Sequence, residues 1–336
     1  MTTTSREYAE ALFELAVQAG LTKETSEGLE TVVSAMLQTP EYRALLASPA
    51  IAKEERLNAL DSTFRGKIPD MLLAIPEGHV HDGRLDLSFA KKMVFPDPFA
   101  CMLFQLERME DLGSAHLFRR TARRLGCGEE EARAAAKEEI FERTVIFWLG
   151  TTGMFIGDII RRAHPDAKIV FVARSPEDSP KVQFALKQAG GIYVRNCHGK
   201  PEELAADICK ALGGRATVFI GVSGSTAEHE IAFTHRVLGC NGLYNSFSLG
   251  PKITFDTMPF GFENHLIFGS INFRQDHMEK AIRMLAQSPY DRIVELISRD
   301  EFAADPIGAY ENRIYCKNAP MKTAVIWNQD KINMEG

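Results

Sequence analysis

Apolar positions recur with two different periods along the chain, and the change of period divides it. Near the N-terminus, Thr4 and Glu7 form a capping-box pattern, and Tyr8, Leu12, Leu15 and Ala16 follow at helical spacing until Gly20. A second stripe runs through Leu29, Val32, Val33, Met36 and Leu37. Thr39-Pro40 closes that stripe and opens a third helix, because Thr suits an N-cap and Pro the first helical position. Ser48-Pro49 breaks the pattern again, and Leu57, Leu60 and Phe64 form a fourth stripe before Gly66 and Pro69. From about residue 93 the pattern changes. Short apolar runs at 144–147, 168–172, 192–194, 216–220, 243–247, 266–269 and 324–327 predict strands, with helical spacers between most of them. That alternation predicts a doubly wound parallel sheet, so the expected fold class is α + α/β: an N-terminal helical bundle, then a parallel-sheet domain. The expected division is a helical module at 1–75, a linker and helical insertion at 76–143, the sheet domain at 144–328 and a loose tail at 329–336.

Composition narrows the function without choosing it. With 336 residues, 45% hydrophobic and 25% charged, the chain has material for two domains. A formal net charge of −6 argues against nucleic acid as a partner, since phosphate affinity needs a clustered basic surface. No apolar run is long enough to span a bilayer, and Met1 to Arg6 lacks a secretion pattern. The six cysteines are scattered without a Cys-x-x-Cys pair, which fits reduced thiols in a cytoplasm. Arg119-Arg120 and Arg123-Arg124 form a basic run in the 110–143 segment, where Glu129-Glu-Glu131 predicts an acidic helix start.

Within the helical part, Tyr8-Ala-Glu-Ala-Leu-Phe-Glu-Leu-Ala16, Leu45-Leu-Ala-Ser-Pro-Ala-Ile51 and Lys53-Glu-Glu-Arg56 resemble the delta subunit of bacterial ATP synthase, whose mitochondrial counterpart confers oligomycin sensitivity. The resemblance covers about Ser5 to Ile75. It implies a helical domain tying the catalytic head of ATP synthase to the peripheral stalk, peripheral to the inner face of the cell membrane. Its first helix would dock through Tyr8, Ala11, Leu12 and Leu15. The sequence departs from the family at the fifth helix, where Pro69, Pro76 and Gly78 fall within a few turns. The family's stalk-binding C-terminal domain is not recognisable.

In the second part, Thr144–Phe147 leads into Trp148-Leu-Gly150-Thr151-Thr152-Gly153, a Gly-x-Gly-x-x-Gly pattern with Trp148 at its first position. In the full pattern the first Gly makes a tight turn, the second lets backbone approach a pyrophosphate, and the third lets helix pack on strand. A two-glycine remnant is equally an ordinary strand-to-helix turn. About 20 residues on, where an acid would bond a ribose 2′-hydroxyl, stand Ala173, Arg174 and Ser175. Arg174 suits a 2′-phosphate, which favours NADP with NAD second; the other reading of Arg174 is a solvated surface charge.

Lys181-x-x-x-Ala185-x-x-x-Ala189-Gly-Gly-Ile-Tyr-Val194, Val222-Ser-Gly-Ser225 and Gly269-Ser-Ile-Asn272 resemble the Rossmann cofactor domain of medium-chain alcohol dehydrogenases, with the glucose dehydrogenase branch nearest. The resemblance covers about 93 to 328. It implies that Gly150, Thr151, Thr152, Gly153, Arg174 and Ser175 face the cofactor phosphates, and that Val222, Ser223, Gly224, Ser270 and Asn272 lie near ribose and nicotinamide. Asp97 stands where some members place a carboxylate near zinc, although an Asp beside Pro98 also reads as a turn or cap residue. Zinc-dependent members carry a Cys ligand and a Gly-His-Glu segment in a β-rich catalytic domain, and this chain has neither. Gly78-His79-Val-His81 reads as a polar loop, and no zinc is expected. Two functions are therefore carried forward. One is an ATP synthase docking protein fused to an NADP-binding domain. The other is an NADP-dependent oxidoreductase of the glucose, polyol or alcohol type, complemented by another subunit.

Overall fold

The computed structural model describes residues 22–39, 42, 59, 62–65, 67, 80–81, 84–197, 199–247, 257–314, 321–328, 330 and 332–333. The chain divides into two compact units, Pro98–Phe273 and a second made of Met1–Asp97 with Arg274–Gly336.

The unit 98–273 is built on a six-stranded parallel sheet. Helix α1 (Pro96–Leu125) leads into it and runs on into the segment expected to be a helical insertion, which is completed by α2 (Glu129–Ile140), starting at the three glutamates. Then come β1 (Arg143–Phe147), α3 (Thr151–Ala163), β2 (Lys168–Ala173), α4 (Pro180–Ala189), β3 (Ile192–Arg195), α5 (Pro201–Leu212) and β4 (Ala216–Gly221). Helix α6 (Thr226–His229) runs on as a π-helical turn over Glu230–Thr234, and β5 (Leu238–Ser246) and β6 (Leu266–Phe268) complete the sheet. Its order is β3-β2-β1-β4-β5-β6, all parallel.

Local chemistry explains these boundaries. The central strands are almost wholly buried β-branched and aromatic runs, as expected when helices cover both faces of a parallel sheet. Helices α4 and α5 begin with Pro at the first turn and end at Gly190 and Gly213, both at positive φ, so each is framed by residues that start and stop helices. On one face Phe147, Phe219 and Tyr244 stack across β1, β4 and β5 at centroid spacings of 5.7 and 5.6 Å, covered by Leu204, Ile208 and Leu212 of α5. On the other face Phe171 of β2 fills the space that a side chain at Gly157 of α3 or at Gly191 would take. A polar contact is also buried, with Asn245 of β5 donating to the Gln105 side chain of α1 at 2.7 Å. Below the sheet, buried Glu263 accepts from both Arg215 and Arg236.

In the other unit, helix Thr22–Gln38 carries the second predicted stripe. The first helix, with Tyr8, Ala11, Leu12 and Leu15, and the broken fifth helix lie outside the described residues. Three expectations are corrected here. Residues 322–326 form a strand, but it pairs in parallel with Val294–Ser298 in a separate two-stranded sheet and does not join the six-stranded one. The reason is that Val294–Ser298, a strand missed in the sequence pattern, gives it a ladder of its own. Val80–His81, expected as polar loop, pairs antiparallel with Arg84–Leu85. Ile332–Asn333, expected as loose tail, pairs in parallel with Leu85–Asp86. In both cases backbone hydrogen bonding within a small sheet, invisible to side-chain pattern, orders the segment.

Candidate functional site

Strands β1 and β4 are neighbours in the sheet, yet the chain leaves β1 towards β2 and leaves β4 towards β5, on opposite sides. At such a switch point the loops after the two strands diverge and leave a crevice at the carboxyl edge of the sheet. Phe147 pairs with Gly221, and the Val222 amide donates to the Phe147 carbonyl at 3.1 Å, so the loops 148–150 and 222–225 emerge side by side. Seven of the predicted residues thereby come to one place: Gly150, Thr151, Thr152, Gly153, Val222, Ser223 and Gly224.

The loop after β1 keeps the tight turn although a Trp replaces its first glycine. Trp148 has φ +99°, its amide donates to the Val172 carbonyl at 2.8 Å, and its side chain is 39% exposed. The backbone here takes a glycine-like conformation with an indole attached, a strained state. The other two glycines separate by role. A Cβ on Gly153 would collide with the Trp148 carbonyl and sit 3.2 Å from Ile146, so this position is set by helix–strand packing. A Cβ on Gly150 would meet only Trp148 Cδ1, at 3.9 Å, so its bareness serves open space rather than packing. Gly150 is the N-cap of α3 in extended conformation, with no side chain capping the helix and no acid in its first turn. The positive end of the helix dipole is thus presented at the crevice with no acid in the helix's own first turn.

Arg174 and Ser175 follow β2, one strand from β1. Ala173 pairs with Arg195 at the end of β3, the Arg195 guanidinium donates to the Arg174 carbonyl at 3.3 Å, and both arginines are exposed. The Tyr193 hydroxyl donates to the Ser175 carbonyl at 2.7 Å. Burial pushes the Tyr193 phenol up to about 12, against the opposing pull of Arg195, so it stays a neutral donor. Arg195 was missed in the sequence. Only the strand register brings it beside Arg174, and the signal available was a basic residue ending a predicted strand.

On the other side of the crevice, Ser270 and Asn272 follow β6, where the Ser270 hydroxyl accepts from the Asn272 amide at 3.2 Å. This segment is tied to α1, since the Cys101 thiol donates to the Ile271 carbonyl at 3.1 Å. It lies two strands from β4, roughly 10 Å away at ordinary strand spacing. Asp97 stands in the first turn of α1, exposed, where a carboxylate favours the helix dipole.

The Ser223 side chain is engaged by its neighbours in the chain. Its hydroxyl donates to Glu228 at 2.6 Å, accepts from the Ser225 amide at 3.1 Å and lies 2.8 Å from the Ser225 hydroxyl. It is committed to the loop itself. Glu228, also missed in the sequence, is fully buried (0% exposed) and accepts from the Ser223 amide at 3.0 Å as well. Burial pushes the Tyr244 phenol beyond its ordinary value, and the adjacent Glu228 carboxylate adds to that.

Comparison with known proteins bears on the two parts separately. Residues 4–87 match the family model of the ATP synthase delta (OSCP) subunit. The resemblance to the delta subunit read on Ser5 to Ile75 is borne out by this match, which runs on to residue 87. A curated relative, ATP synthase subunit delta of Halalkalibacterium halodurans, is 34% identical over 80 residues, which is 24% of this chain and 44% of that protein. The chain therefore spans less than half the length of that relative. Among solved structures, L-idonate 5-dehydrogenase from Escherichia coli aligns at 16% identity with a TM-score of 0.47, covering 71% of this chain and 57% of that one. Glucose dehydrogenase from Haloferax mediterranei aligns at 12% identity with a TM-score of 0.48, covering 70% and 59%. The fold of residues 98–273 rests on its own strand order, which is that of a Rossmann-type sheet. No described helix is long and apolar enough to cross a membrane.

Proposed function

We propose that the chain is an ATP synthase delta-type docking module joined to a domain that binds NADP(H). The observation that carries the second half is the uncapped N-terminus of α3, with Gly150 bare and Gly153 packed, placed at the switch point of a 3-2-1-4-5-6 sheet. Pyrophosphate would take the amides of Gly150 to Gly153. The paired Arg174 and Arg195, with Ser175, would receive a 2′-phosphate, since two exposed guanidiniums favour a dianion over a hydroxyl. Val222, Gly224, Ser270 and Asn272 would line the nicotinamide side. When bound, NADP(H) supplies hydride transfer; this chain's own residues supply binding and orientation. Titration of the full chain with NADPH and NADH by fluorescence tests this reading. NADPH is expected to bind more than tenfold more tightly, the equivalent of a charge-assisted contact of about 1.5–3 kcal/mol. Equal affinities would remove the role of the two arginines, and no binding of either would remove the reading.

The docking half is supported by the family match at residues 4–87. Through it the chain would sit peripherally at the inner face of the cell membrane, held by the catalytic head and stalk of ATP synthase. Its first helix would present Tyr8, Ala11, Leu12 and Leu15, and a shortened fifth helix would make the grip weaker than that of an intact delta subunit. Capture of purified catalytic head by the immobilised full chain, reduced by Ala11→Asp, is the expected result; equal retention by the variant would place the contact elsewhere. Oxidoreductase activity on a sugar, polyol or alcohol would need a further subunit to complete the substrate site.

A further inference from the structure

We infer that Glu228 is the positioning residue of the crevice, a buried clamp that sets the loop 222–225 in the shape a dinucleotide meets. The inference rests on the dinucleotide reading for its ligand, but the clamp is a property of the chain alone. A carboxylate with 0% exposure in an apolar setting is costly unless donors satisfy it. Here the donors come from the loop: Ser223 gives both its amide, at 3.0 Å, and its hydroxyl, at 2.6 Å, to the same oxygen. The Ser223 oxygen then accepts from the Ser225 amide, so one side chain fixes two backbone positions in series. Gly224 between them has φ +66°, the turn that such a closed arrangement requires.

The approach of the clamp is also built into the backbone. A Cβ at Gly221, the last residue of β4, would stand 2.5 Å from the Tyr244 hydroxyl and 2.8 Å from the Glu228 carboxyl group, so only glycine lets the carboxylate reach under the loop. Glu228 comes from α6, which widens at once into the π-helical turn Glu230–Thr234, a rare geometry often found beside functional sites. The Ser223 hydroxyl and amide are both consumed by the clamp and the Val222 amide by the Phe147 carbonyl, so the loop meets a ligand through its fixed backbone shape rather than through the Ser223 side chain.

The test uses the full chain with Glu228→Gln, Ser223→Ala and the double variant. Without nucleotide, amide hydrogen exchange over residues 222–225 is expected to quicken in each single variant while the central strands stay protected. NADPH binding is expected to weaken about tenfold in each, as loss of a charge-assisted hydrogen bond predicts, and no further in the double variant, because both changes break one link. Additive losses, or unchanged exchange in the loop, would overturn the clamp. Should Glu228→Gln fail to fold, Ser223→Ala alone decides, since it leaves the acid in place. A wild-type chain that binds neither nucleotide while its loop exchange still responds would overturn the dinucleotide role and leave the clamp standing.

Discussion

Trp148 offers the sharpest test, because one residue holds both a strained backbone and the door of the proposed site. At φ +99° an L-residue is held outside its ordinary conformations, at a cost of about 1–3 kcal/mol. Trp148→Gly removes that strain but adds about 0.5–1 kcal/mol of backbone entropy cost and loses the indole's packing. With 39% of the residue exposed, the lost burial is on the order of 100 Å², or about 2–3 kcal/mol. These terms nearly cancel, so the net stability change is expected to stay within about 1–2 kcal/mol of zero. Trp148→Ala loses the same packing while keeping a Cβ at positive φ, so it should be less stable than Trp148→Gly by about 1 kcal/mol. Urea unfolding of the two variants side by side isolates the strain. An Ala variant equal to or more stable than the Gly variant would show that the turn is unstrained and refute the reasoning. Trp148→Gly should also tighten NADPH binding by about tenfold, equivalent to 1.4 kcal/mol, because the indole lies beside Gly150 at the helix terminus; unchanged or weaker affinity in a folded variant would count against the site.

Gly153→Ala puts a methyl group against the Trp148 carbonyl and Ile146, so a loss of about 1–3 kcal/mol in urea unfolding is expected, whereas Gly150→Ala should leave stability nearly intact and weaken NADPH binding. Arg174→Ala and Arg195→Ala should each erode the preference for NADPH over NADH while leaving NADH affinity within about twofold, read by paired titrations. Burial pushes the Glu263 carboxyl up, but hydrogen bonds from Arg236 and Arg215 outweigh it and hold the group below its ordinary value. A depressed carboxylate contributes stability above its unfolded value of 4.5 that is lost as pH falls through the folded value. Glu263→Gln should therefore destabilise by about 1–3 kcal/mol at pH 7 and by progressively less below about pH 4.5, measured as unfolding midpoints across that range. Metal analysis of the purified chain is expected to find no stoichiometric zinc, since the thiolate and Gly-His-Glu ligands of zinc-dependent dehydrogenases are absent from the sequence; zinc bound one to one would overturn this.

What the sequence determined by itself follows from local chemistry. Short β-branched runs such as Thr144–Phe147 and Lys168–Val172, bounded by turn residues, read as strands buried on both faces, and Pro180, Gly190, Pro201 and Gly213 frame their helices with residues suited to start and stop them. The delta-type segment was legible because its motifs are contiguous, and the family match covers the same stretch. The place of Gly150 to Gly153 at the start of a helix after a strand was legible because it depends on spacing within one turn. The rest depended on which distant segments meet. Arg195 becomes a neighbour of Arg174 only through parallel register, and Glu228 reaches Ser223 only because Gly221 leaves room beneath the loop. Residues 322–326 have the composition of a sheet strand, and their pairing partner was decided by the tertiary fold. Trp148 marks the division most clearly. The sequence shows only that a tryptophan stands where the pattern has its first glycine; the paired strands and the close approach of Gly153 constrain its backbone from both sides and hold it in a strained conformation.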